Sequence, residues 1–161
     1  MAKKRVYVES TVISYLAAKP SRVLANLVKQ QHTWDWWECR HRWNMYISPA
    51  VIREIRRGRP KLARKRLAYI VGMPVLQESD EIGALTDHLI DKGLIPEKVR
   101  DDALHVATAV LHGMDYLVTW NQKHLLNPFR IEALYKTIRE AGYKPVVLVR
   151  SDDLMEAPNG S

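Results

Sequence analysis

Apolar residues in this chain alternate between short β-prone runs and stretches with helical spacing, and each change of period marks an element. Val6, Tyr7 and Val8 form a brief strand, and Glu9, Ser10 and Thr11 then lead into Val12, Ile13, Tyr15 and Leu16 at the spacing of a helix. Pro20 ends that helix, and Ser21 caps a second one running to about Trp43. Met45, Tyr46 and Ile47 predict a second strand. Ser48 and Pro49 supply a helix start, a hydroxyl cap followed by proline at the first helical position, for a helix to Arg57 that Gly58 closes. Pro74, Val75 and Leu76 predict a third strand, after which Ser79 caps a helix carrying Ile82, Leu85, Leu89 and Ile90 that Gly93 ends. Tyr116 to Val118 is the next strand, Ile131 to Glu140 a helix stopped by Gly142, Val146 to Val149 the last strand, and Ser151 to Met155 a terminal turn. Strands alternating with helices, without an internal repeat, imply a three-layer α/β/α domain with a mainly parallel central sheet. Residues 1–155 read as that single domain and 156–161 as a mobile C-terminal tail.

The stretch Arg100 to Asn121, RDDALHVATAVLHGMDYLVTWN, carries the first chemical hint. Beyond Asp102 its helix is apolar on nearly every side, so it belongs in a core, where a carboxylate is costly unless paired or bound to a metal. Pro96 fits the first turn of this helix and places Asp102 well inside it. A start at Asp101 would instead make Asp101 a cap and leave Asp102 favoured by the helix dipole. The strand after Gly113 ends in Thr119, Trp120 and Asn121, polar groups at the carboxyl end of a sheet, where α/β sites lie.

Charge widens the picture. Lys and Arg number 25 against 18 Asp and Glu, a formal charge of +7, and the pI near 9.6 favours a polyanionic partner. The densest basic stretch runs from Arg53 through Arg56, Arg57, Arg59, Lys61, Arg64 and Lys65 to Arg66. It reads either as two solvated helix faces or as an edge that contacts phosphates, with Arg53, Arg56, Arg57 and Arg59 as the nucleic-acid candidates. Trp34, Trp36, Trp37 and Trp43 read as packing or as a base-stacking platform. Cys39 is the one cysteine, which excludes an intramolecular disulfide and a thiol-cluster zinc site and points to a reducing, cytoplasmic setting. The amino terminus lacks the continuous apolar run of a signal peptide, and no run approaches membrane-spanning length.

Glu9 ends one strand, Glu54 lies on the helix after the second, and Asp102 on the helix before Tyr116. If the fold brings these three carboxylates together, their repulsion calls for a hard divalent cation, Mg²⁺ or Mn²⁺, rather than zinc. The ordered segments VYVESTVISYL, SPAVIREI, DDALHVATA and YLVTWN resemble the four motifs of the PIN-domain ribonucleases, in particular the VapC-type toxins of toxin and antitoxin pairs, over about Val6 to Leu154. The resemblance implies a PIN-like α/β/α domain and a metal-dependent RNA phosphodiester hydrolase leaving a 5′-phosphate and a 3′-hydroxyl. It places Glu9, Glu54 and Asp102 as metal ligands, with Asn121 and Thr119 completing the catalytic set and Ser10 in support. It also implies an RNA substrate, a cognate antitoxin, a homodimer and promoter binding by the complex.

Two positions depart from the family pattern. Glu9 stands where Asp is usual, adding one methylene, and Asn121 where Asp is frequent, removing a negative charge and weakening any second metal. Asp101 is expected near the rim. His105 and His124 suggest either a general base or buried and capping imidazoles, and the family needs no histidine base. The alternative function is a non-catalytic PIN-like nucleic-acid-binding or interaction domain; a third is a nuclease acting on structured DNA or in RNA maturation.

Overall fold

Val6, Tyr7 and Val8 have no solvent exposure, so the strand they form is covered on both faces, as central strands of parallel sheets are. The computed structural model describes residues 2–158; Asn159, Gly160 and Ser161 of the expected tail lie outside the described residues. Strand β1 (Arg5–Val8) pairs in parallel with β2 (Asn44–Tyr46) on one side and β3 (Tyr116–Val118) on the other, and β4 (Val147–Val149) pairs in parallel with β3. The four-stranded order is β2-β1-β3-β4. Parallel neighbours need crossovers, and among the described residues seven helices lie in them, α1 (Ser10–Ala17), α2 (Leu24–Glu38), α3 (Pro49–Ile55), α4 (Pro60–Tyr69), α5 (Asp80–Asp91), α6 (Arg100–Leu111) and α7 (Ile131–Glu140), while α8 (Ser151–Met155) follows the last strand. The result is the expected three-layer α/β/α domain, in which α5 packs on α6, and α1 touches α2, α3 and α4. Among the described residues no helix is long and apolar enough to cross a membrane.

Several elements begin and end for the reasons legible in their residues. Ser48 Oγ accepts the Val51 amide and Ser79 Oγ the Ile82 amide, each 3.3 Å away, which are two of the three predicted serine caps. Gly58, Gly93 and Gly142 follow their helices with φ of +86°, +74° and +95°, a left-handed conformation that glycine adopts without penalty.

Four expectations need correction. The second helix starts at Leu24, with Ser21 Oγ accepting the Val23 amide ahead of it, and stops at Glu38, because Arg40–Arg42 tighten into a 3₁₀ turn that lets Trp43 fold back on Trp36. Those two rings stack with centroids 6.1 Å apart, so both are core. The helix after Ser48 ends at Ile55, with Arg56 as its cap. Pro74 to Leu76 is no strand: only Val75 bridges to Ile47, through two backbone hydrogen bonds, before the chain turns away. Asp102, finally, is not deep in its helix. Glu97–Val99 form a separate 3₁₀ turn, α6 begins at Arg100, and Asp102 falls in the first turn, where the helix dipole favours a carboxylate.

Candidate active site

The carboxyl end of β1 delivers Glu9, whose backbone amide bonds to the Val118 carbonyl on the neighbouring strand at 3.1 Å. Glu9 is 2% exposed, and its extra methylene lets the carboxylate fold back as the N-cap of α1. Oε1 accepts from the Thr11 amide at 3.1 Å, the Thr11 hydroxyl and the Thr119 hydroxyl at 2.7 Å. Ser10 Oγ stands 2.8 Å from Glu9 Oε2 and 3.1 Å from Glu54 Oε1. A hydroxyl has one proton, so Ser10 cannot serve both carboxylates at once, and positive charge between them is wanting.

Glu54 comes from the last turn of α3 and meets His105 of α6. His105 Nε2 is hydrogen-bonded to Glu54 Oε1, while Nδ1 lies 2.5 Å from the Tyr7 hydroxyl, itself 2.6 Å from Ser48 Oγ. The N-cap of α3, the central strand and α6 are therefore joined to Glu54 by one buried chain of hydrogen bonds. Burial works against charge on His105, but the Glu54 hydrogen bond and the charges of Glu9, Glu54 and Asp102 outweigh it and raise its pKa above 6.5. Burial likewise opposes charge on Glu54, yet the hydrogen bond and charge of His105, with Ser10 and Arg57, bring it below 4.5. Burial drives the Tyr7 phenol well above its ordinary value, so it stays protonated.

Asp102 is 8% exposed. Its pKa is raised, by burial first and by the charge of Glu9, against a hydrogen bond from the Asn121 side chain and the charges of His105 and His124. Asn121 explains itself here. Its side chain lies near enough to Asp102 to favour the ionised carboxylate, while its Oδ1 accepts the His124 amide at 3.1 Å; a carboxylate in its place would repel Asp102. Thr119 Oγ1 in turn accepts the Asn121 amide at 2.9 Å while donating to Glu9.

Ligand atoms of Glu9, Glu54 and His105 all lie within 4.8 Å of one another. The carboxylate oxygens of Glu9 and Glu54 suit a hard cation, whereas His105 offers a ring nitrogen already bonded to Glu54, and Asp102 is not part of this close group. An open cleft of about 330 Å³ flanks the group, lined by Glu54, Asp101 and Asp102 and by Arg57, Lys98 and Arg100. Asp101 stands at its edge, paired with Arg53 at 3.4 Å and Arg57 at 3.9 Å; Arg56 and Arg59 are exposed. Sequence reading had not picked out Tyr7 or the link from His105 to Glu54. The signals were a phenol in an otherwise aliphatic buried strand, which needs a partner, and a lone imidazole on an apolar helix.

No protein-family model and no curated protein matches the sequence. Solved structures do match. VapBC2 from Rickettsia felis, in a crystal structure bound to a DNA fragment from their promoter, superposes with a TM-score of 0.53 at 16% identity, covering 91% of this chain and 98% of that one. FitAB bound to an IR36 DNA fragment gives a TM-score of 0.58, also at 16% identity, over 91% of this chain and 94% of that one. At such identity the likeness is one of fold, and it is the PIN-like fold that the four motifs implied.

Proposed function

With that fold as premise, we propose that the chain is a metal-dependent endoribonuclease that hydrolyses RNA phosphodiester bonds and is restrained by a cognate antitoxin. The observation that carries the reading is the meeting of Glu9 and Glu54, from separate elements, in a pocket where the charge of Asp102 is also felt, beside an open cleft with a basic wall. Glu9, Glu54 and Asp102 would hold Mg²⁺ or Mn²⁺, which when bound supplies the charge that acidifies a water and offsets the leaving oxygen. The other side chains prepare that pocket. Thr11 and Thr119 fix the Glu9 carboxylate, His105 holds Glu54 and tempers the repulsion among the acids, and Asn121 orients Asp102. Arg57, Lys98 and Arg100 give an incoming phosphate a positive approach. With Asn121 neutral, one cation suffices for the charge present.

VapBC2 and FitAB are two-component complexes solved on DNA. The corresponding unit for this chain is a homodimer joined by its antitoxin and bound to its promoter. Asp102→Asn tests the core of the proposal: Mn²⁺-dependent cleavage of RNA is expected to disappear while circular dichroism shows an intact fold. Cleavage at the parental rate would reject it.

A further inference from the structure

We infer that a second cleft, basic and lying between α1 and α4, binds the phosphodiester backbone of single-stranded RNA on its way to the acidic pocket. The inference rests on the nuclease reading above and names where the strand runs outside the reacting bond. The cleft measures about 410 Å³ and is lined by Ala17, Lys19, Arg59, Lys61, Leu62 and Lys65. Four cations line it and, among the described residues, no acid does.

The basic stretch seen in the sequence divides in two at this point. Arg53 and Arg57 are paired with Asp101, Arg53 also with Glu78, and Arg66 donates to the carbonyl oxygens of Ile55 and Arg57. Among the described residues, none of Lys19, Arg59, Lys61 and Lys65 has an Asp or Glu within ion-pair distance. Four like charges around a depression repel one another and draw in a polyanion. Lysine ammonium groups, compact and strongly hydrated, suit phosphates as point charges, and the small apolar floor of Ala17 and Leu62 leaves room for a sugar.

The linings of the two clefts come within two residues of each other along the chain. Arg57 lines the acidic one and Arg59 the basic one. Two residues of chain reach about 7 Å at most, and Gly58 between them, at φ +86°, presents nothing within 4 Å of where a side chain would begin. A strand crossing this turn would pass from the cations of one cleft to the carboxylates of the other over an unobstructed glycine. An RNA cut within its length must have backbone beyond the scissile phosphate, and this basic surface has the sign to receive it.

The test uses the 161-residue chain without added divalent metal, so that cleavage does not intervene. The probe is a fluorescein-labelled oligouridylate of about 12 nucleotides, within the usual site sizes of roughly 4–16, read by anisotropy across a salt series. In the triple variant Lys19→Gln, Lys61→Gln and Lys65→Gln, the slope of log affinity against log salt should shrink by about 2, at roughly 0.7 for each phosphate left without its lysine. Lys136→Gln, remote and paired with Glu140, should leave slope and affinity unchanged. An unaltered slope in the triple variant overturns the inference, as does displacement of the RNA by polyglutamate from the parent chain at matched charge, which would assign the cleft to an acidic protein. Loss of binding in the triple variant alongside persistent cleavage by Asp102→Asn would sink the proposed catalytic site and leave the cleft standing; unchanged binding with cleavage abolished would sink the cleft alone.

Discussion

Glu54 and His105 tie the chemistry of the pocket to its stability. His105 has a raised pKa, so its contribution is whole below about pH 6.5 and fades as pH rises through its folded value; Glu54, lowered, contributes fully above about pH 4.5 and fades as pH falls through its folded value. Asp102 runs the other way: its native form holds a proton longer than the unfolded chain, so stability declines as pH climbs from 3.8 to its raised value. The pair is therefore strongest in mildly acid solution. In His105→Gln the deficit in melting temperature should be large near pH 6 and narrow as the medium becomes alkaline; a deficit constant from about pH 5 to pH 9 would contradict the assignment. The hydroxyl of Tyr7 offers a second handle. Tyr7→Phe takes away the hydroxyl that His105 Nδ1 is bonded to in the buried core, and should cost about 1–3 kcal/mol in urea denaturation.

At the scale of elements, α3 matters most because it carries Glu54 on a seven-residue helix held at its start by Ser48. Ser48 Oγ serves the Val51 amide and the Tyr7 hydroxyl together. Ser48→Ala should cost at least the roughly 0.5–2 kcal/mol typical of removing a cap, and it should weaken Mn²⁺ binding as well, measurable by calorimetric titration. Elements of this kind were plain in the sequence, since a serine before a proline, a glycine after a helix and the run Val6 to Val8 state their roles locally. What escaped was decided by contacts between distant segments. The break after Glu38 follows from Trp43 stacking on Trp36, the single bridge at Val75 from where α4 leaves the chain, and the start of α6 from the turn at Glu97–Val99. The candidate acids were legible as types at motif spacings. The closeness of Glu9 and Glu54, and the choice of His105 as Glu54's companion, exist only once β1, α3 and α6 are packed.

Taken whole, the molecule sets a small acidic pocket in a chain of net charge +7. That contrast predicts a ligand-linked stability. At Mn²⁺ a hundredfold above its dissociation constant the native state should gain about 2.7 kcal/mol, seen as a rise in melting temperature that chelation reverses and that Glu54→Gln abolishes. The sheet order carries a separate consequence. Arg5 and Asp115, bonded at 2.8 Å across the β1–β3 seam, are 110 positions apart, and among the described residues each pair of neighbouring strands is parallel. During synthesis the first strand can pair with β2 early, but its other edge must wait until Val118 has left the ribosome, and such distant pairings slow folding. A nascent chain halted short of that residue lacks both the strand that anchors the Glu9 backbone and the Thr119 hydroxyl that holds its carboxylate, so the pocket cannot assemble on it.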